Sequence, residues 1–171
     1  MRAMRLLSLG VGLVLLAGCG RASIKTYHRP QTAWDTIRKV ALLPVETPSE
    51  NQIRREQLTQ LFATELRKEA GLEEVIDVSS DSPLGLFPSA EEVGKRYTVD
   101  GVFSLSVDDT DGLSIQVKLH DALTGELIWT DSYLAGGGAE IYSSKTAQQR
   151  IQRAFHRIAN DFSKIRASSS R

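Results

Sequence analysis

Residues 117–133, VKLHDALTGELIWTDSY, read as two strands folded back on each other at a tight turn. Leading into it, Leu113, Ile115, Val117 and Leu119 alternate with Ser114, Gln116, Lys118 and His120, the period of two expected of a strand with one buried face. Asp121 to Glu126 makes the turn, and Gly125 within it can take the positive φ that closes such a loop. Leu127 to Leu134 is the return strand, with Leu127, Trp129 and Tyr133 expected on its inner face. Upstream, Val99 to Val107 alternates Phe103, Leu105 and Val107 with Ser104 and Ser106, and the acidic turn Asp108-Asp109-Thr110-Asp111-Gly112 joins it to the next strand. Three consecutive strands joined by short turns predict an antiparallel meander.

Outside the meander the pattern changes from period two to helical. Lys39-Val40-Ala41-Leu42-Leu43-Pro44-Val45 is a continuous apolar run, which suits a central strand buried on both faces and ending near Pro44. Ser49 and Gln52 have capping-box spacing. Behind them Leu58, Leu61, Phe62 and Leu66 mark one face of an amphipathic helix that stops at Gly71. Val75 to Val78 is a second short strand, and Ser79 to Pro88 a loop. Ser89 and Glu92 form a second capping box that opens a short helix to about Arg96. Ala135 to Ala139 reads as a glycine hinge. A last helix from about Ser143 to Ile165 carries the stripe Ile151, Ala154, Phe155, Ile158, Phe162 and Ile165. The element order is strand, helix, strand, helix, three strands, helix. It predicts a single α/β domain with a five-stranded mixed sheet in the order 2-1-3-4-5, covered by helices, with right-handed crossovers between the parallel strands.

The amino terminus carries a different signal. Arg2 and Arg5 precede an apolar run from Leu6 to Ala17, which is too short for a membrane span of about 20 residues and has the length of a signal-peptide core. It ends in Leu16-Ala17-Gly18-Cys19, which resembles a bacterial lipobox. The expectation is cleavage before Cys19, with diacylglycerol and an N-acyl chain carried on that residue; several acyl chains together anchor stably. Gly20 follows, with no acidic retention residue, which by the enterobacterial sorting rule favours the outer membrane, with the domain facing the periplasm. The expected organisation is a signal peptide over 1–18, a lipidated terminus and irregular tether over 19–37, an α/β domain over 38–165 and a frayed tail over 166–171. Such a tether would reach on the order of 60 Å. Trp34 and Ile37 mark where it meets the fold.

Composition narrows function. The chain has 21 basic and 21 acidic residues, and loss of Arg2 and Arg5 with the signal leaves a net charge near −2. That gives no basic excess for nucleic acid. With Cys19, the single cysteine, lipidated, no thiol remains for a disulfide, a thiolate metal site or a nucleophile.

Segments 39–45 (KVALLPV), 93–102 (VGKRYTVDGV) and 117–133 resemble successive signatures of the TolB amino-terminal-like fold, with DALTGELIW the most specific. The same fold occurs in the curli-export lipoprotein CsgG, in flagellar-ring proteins and in the Pel polysaccharide export lipoprotein, which this chain is nearest to in size and style. The resemblance covers roughly residues 38 to 165. It implies an envelope scaffold with protein partners, itself included as a homo-oligomeric ring. The long amphipathic hairpins of CsgG are missing, so pore formation is not expected.

Catalytic and metal motifs are not found in the sequence. Setting Gly112 at position 6 of an EF-hand puts Val107 and Lys118 where acids belong. His28, His120 and His156 form no i, i+4 pair, so no metal site is expected. No G-x-S-x-G or Ser-x-x-Lys nucleophile is present around Ser143-Ser144-Lys145, and glycines 136–138 lack the Gly-Lys-Ser/Thr of a phosphate loop. The reading is therefore a non-enzymatic, lipid-anchored accessory subunit of an outer-membrane export or envelope-assembly complex. The alternative is a lipoprotein activator of a peptidoglycan synthase. Lipidation at Cys19 is the one assigned site, and no other cofactor, catalytic residue or metal ligand is expected.

Overall fold

A computed structural model of the chain describes residues 23–30, 32–48, 52–79, 89–108, 113–135 and 144–168. Its elements are β1 (Ser23–His28), a 3-10 turn (Trp34–Thr36), β2 (Lys39–Leu42), α1 (Gln52–Glu69), β3 (Glu74–Asp77), α2 (Ala90–Tyr97), β4 (Gly101–Asp108), β5 (Leu113–Asp121), β6 (Leu127–Ala135) and α3 (Ser144–Ser168). The sheet order is β1-β6-β5-β4-β2-β3. The meander β4-β5-β6 is antiparallel, and β2 runs parallel to both β3 and β4. The expected order of the last five strands is met. The sheet nevertheless has six strands, because β1 adds to the free edge of β6, antiparallel, from Ser23 opposite Leu134 to His28 opposite Trp129.

That strand corrects the expected tether. Within the segment expected as a leash over 19–37, residues 23–28 belong to the sheet, and Trp34 and Ile37 are buried in the core. β1 is an edge strand with Thr26, Tyr27 and His28 exposed, so it is held by backbone pairing and leaves no apolar alternation to read. The far end is also longer than expected. α3 continues through Ser168, and Arg166, placed in the frayed tail by the sequence, donates to the carbonyls of Ala70 and Trp34. Ala135, assigned to the hinge, pairs with Leu113. The signal segment, Cys19, the Ser49 cap, the acidic turn 109–112 and glycines 136–138 lie outside the described residues.

One face of the sheet carries the larger core. α1 contributes Leu58, Phe62 and Leu66, and α3 contributes Ile151, Ala154, Phe155, Ile158 and Phe162, against Phe103, Leu105, Ile115, Val117, Leu119 and Trp129 from the strands. The rings interlock edge to face: Phe62 meets Phe155 at 5.1 Å and Phe103 at 5.9 Å, Phe103 meets Phe162 at 5.4 Å, and Trp34 closes the end on Phe162 at 6.4 Å. Such pairs add roughly 0.5–1.5 kcal/mol each beyond burial. The opposite face has a smaller core of Ala41, Leu43, Val78, Val93, Val99, Val102 and Ala122 beneath α2. β2 is the strand buried on both sides, with Val40 and Leu42 facing one core and Ala41 and Leu43 the other. α1 and α2 fall on opposite faces because the chain crosses from β2 outward to β3 and then back past β2 to β4.

Local chemistry sets the joints. Ser89 Oγ accepts from Glu92 N–H while the Glu92 carboxylate accepts from Ser89 N–H, completing the second capping box. Gly94 lies where α2 touches the β5–β6 turn, and a Cβ there would stand 2.1 Å from the Ala122 carbonyl oxygen. Gly125 has φ +71°. The return strand differs from expectation at its first residues. The ladder is interrupted between Leu119 and His120, so that Leu119 pairs with Trp129 and His120 with Leu127. This leaves Ile128 as an extra residue in a bulge. Ile128 and Trp129 are buried, and Leu127, expected inside, is 37% exposed.

Candidate functional site

Cys19, the one site residue assigned from sequence, lies outside the described residues. β1 begins at Ser23, so Gly20, Arg21 and Ala22 are the residues between Cys19 and the sheet.

Among the described residues, a cleft of about 490 Å³ opens where the β1 end, the 3-10 turn and the β5–β6 turn meet. Arg29, Thr36, Asp100, Asp121 and Leu123 help to line it. Its carboxylates are already engaged. Asp100 accepts from the backbone N–H groups of Arg38 and Lys39, each at 2.8 Å. Asp121 accepts from Leu123 N at 2.9 Å, Thr124 N at 2.8 Å and Thr124 Oγ1 at 3.0 Å, bracing the turn. Arg29 pairs with Glu126, which holds the guanidinium above its ordinary pKa, first through the hydrogen bond and then through the charge. The Asp100 and Asp121 carboxylates thus each brace backbone N–H groups through one of their oxygens. Leu123 stands 79% exposed at the rim. The cleft offers an apolar tip beside charges held in place by hydrogen bonds.

Asp131 is buried on β6. Thr26 Oγ1 on β1 donates to it at 3.0 Å and Ser132 N at 2.9 Å. Burial pushes its carboxyl above the usual range, and these hydrogen bonds oppose the shift only in part. It ties the edge strand to the sheet.

A third group lies on the seam of α1 and α3, and sequence reasoning missed it. Glu65 and Glu69 are one turn apart on α1. His156 reaches them from α3, with Nδ1 3.4 Å from Glu65 Oε2 and 3.4 Å from Glu69 Oε1. Glu65 is only 5% exposed; its Oε1 accepts from Gln152 Nε2 at 3.5 Å, and its Oε2 has no hydrogen-bond partner among the described residues. Glu69 Oε1 also meets Lys68 Nζ at 2.9 Å, and that hydrogen bond holds the Glu69 carboxyl below its ordinary pKa. The legible signal was a glutamate seven residues after Leu58, inside the apolar stripe of α1. Of the other histidines, His28 is exposed on β1, and His120 Nδ1 lies 3.1 Å from the Gly125 carbonyl oxygen. The structure brings neither to the Glu65 and Glu69 carboxylates.

No protein-family model matches the chain, and no curated protein matches it by sequence. Solved structures do. PelC from Paraburkholderia phytofirmans, crystallised as a dodecamer, superposes with a TM-score of 0.61 over 84% of this chain and 98% of its own, at 14% identity. The chain has the fold of PelC. A variant of PelC from the same organism gives a TM-score of 0.59 at the same coverage and identity. A lipoprotein of Neisseria meningitidis aligns with a TM-score of 0.49 at 17% identity, over 72% of this chain and 97% of its own. The resemblance drawn from the KVALLPV and DALTGELIW segments is matched by this likeness of fold to PelC over 84% of the chain.

Proposed function

We propose that the protein is a non-catalytic, lipid-anchored subunit of an outer-membrane export or envelope-assembly complex, working in the periplasm as a homo-oligomer. The observation that carries this reading is the PelC fold over 84% of the chain, set directly behind the Leu16-Ala17-Gly18-Cys19 lipobox. Self-assembly is supported by the dodecameric form of PelC. A contact role rather than catalysis is supported by the cleft, whose carboxylates brace backbone and whose rim carries an exposed leucine.

The early start of β1 changes how such an anchor would act. With Cys19 acylated, three residues separate the lipid from the sheet, a reach of about 15 Å at most. The domain would then sit against the bilayer, and partners would have to come to the membrane surface to meet it.

In cells the full chain is expected to take up labelled palmitate and to sediment with the outer membrane. Cys19→Ala is expected to lose both. The full chain purified in mild detergent is expected to crosslink into oligomers and to retain export or assembly components. A strict monomer at high concentration with no crosslinked partner overturns the proposal. Capture of a peptidoglycan synthase in place of export components transfers the protein to the regulator class.

A further inference from the structure

We propose that Glu65, Glu69 and His156 form a binding site for a divalent transition-metal ion of the zinc class, and that the ion pins α3 to α1.

The spacing of the ligand atoms is the first argument. His156 Nδ1 stands 3.4 Å from an oxygen of each glutamate. A charge-assisted N–H···O bond is shorter, about 2.7–2.9 Å. Ligands held about 2.0–2.1 Å from a tetrahedral zinc lie roughly 3.3–3.4 Å from one another. The two His156 contacts are therefore longer than a tight imidazolium–carboxylate hydrogen bond and match two edges of a tetrahedral coordination shell. All three candidate ligand atoms lie within 4.8 Å of one another, so they face one shared space that an ion fills once the two glutamate oxygens draw to the same spacing.

The second argument is independent of distance. Glu65 is almost fully buried, and its Oε2, which faces His156, has no hydrogen-bond partner among the described residues. A buried carboxylate needs a paired charge or a metal to offset its lost hydration. Gln152 on Glu65 Oε1, the oxygen turned away from His156, supplies an outer hydrogen bond of the kind that orients metal-bound carboxylates. The exposed Lys68 ammonium is a weak, solvent-screened competitor for Glu69.

Donor type selects the ion. One imidazole nitrogen with two carboxylate oxygens suits zinc and its neighbours, whereas magnesium and calcium favour all-oxygen shells. His156 is half exposed, so an ion has a route in from solvent. Three protein ligands leave a fourth position for water.

The test uses the full chain in detergent, stripped with chelator and titrated with zinc by calorimetry. One zinc per chain is expected to bind in the micromolar range or tighter and to raise the melting temperature, with calcium and magnesium giving neither effect. Glu65→Gln and His156→Ala are each expected to weaken zinc binding by more than the 10–100-fold that outer-shell changes cost. Cobalt(II) bound in place of zinc is expected to show d–d bands without a thiolate charge-transfer band. No uptake by the stripped chain overturns the proposal. Unchanged uptake by His156→Ala, or a thiolate band from cobalt, also overturns it. The uptake and melting readouts depend neither on lipidation nor on the export partner.

Discussion

The two faces of the sheet are built to different standards. Beneath α1 and α3 the packing is aromatic and deep, with Phe62, Phe103, Trp129, Phe155 and Phe162 all fully buried. Beneath α2 it consists of alanine, valine and leucine, and it covers only the β2, β3 and β4 end of the sheet together with the β5–β6 turn. Beyond α2 the same face continues as Ser104, Ser106, Gln116, Lys118 and Thr130, half-buried or exposed. One face supplies cohesion, while the other, among the described residues, is closed by an eight-residue helix and is otherwise polar. A domain arranged this way can meet partners across its polar face without loosening its main core.

The sharpest way to break that contrast is to truncate on each side. Phe62→Ala removes a ring that touches both Phe103 and Phe155, and the expected loss is about 3–5 kcal/mol in urea unfolding. Gly94→Ala tests the thin side by overfilling it. Its new Cβ would meet the Ala122 carbonyl, and relief requires α2 to lift away, with an expected cost of about 1–3 kcal/mol. If Gly94→Ala proved as damaging as Phe62→Ala, the two faces would be equal contributors and the contrast would fail.

The smallest effect is a slope rather than an offset. Asp131 is a carboxylate buried on the heavier face, and burial raises its pKa in the folded state. The folded chain therefore holds this proton more tightly than the unfolded chain does. The stabilisation is complete below the unfolded carboxylate pKa and is lost as pH rises through the folded value. Asp131→Asn keeps an acceptor for Thr26 and removes the titration. The expected result is a flatter stability profile across the acidic range and a gain over the wild type that grows toward neutral pH. A parallel offset at every pH would mean that Asp131 acts only by packing.

Much of this arrangement was legible in the sequence because burial leaves periodic traces. The stripe from Leu58 to Leu66, the stripe from Ile151 to Phe162 and the alternation of β4 and β5 each report a face turned inward. The Ser89–Glu92 box was legible because capping is local. β1 was not, since an edge strand with exposed Thr26, Tyr27 and His28 gains its place through backbone pairing and one Thr26–Asp131 bond, neither of which leaves an apolar period. The outward turn of Leu127 depends on one extra residue in a bulge, which no spacing within β6 announces. The seam of Glu65, Glu69 and His156 joins positions about ninety residues apart, and it exists only once two helices lie side by side.

Pairing of β1 with β6 also imposes an order of events. Thr26 and Asp131, joined by a hydrogen bond, are 105 positions apart, whereas each hairpin of the meander closes over only a few residues. Closing the longer loop costs about 2 kcal/mol more in chain entropy for a tenfold difference in length. It also requires β6 to be in place, so the segment made first is the last to find its partner. On a growing chain β1 therefore waits unpaired until residue 135 has been made, and the edge of β6 that it covers stays open for the same interval.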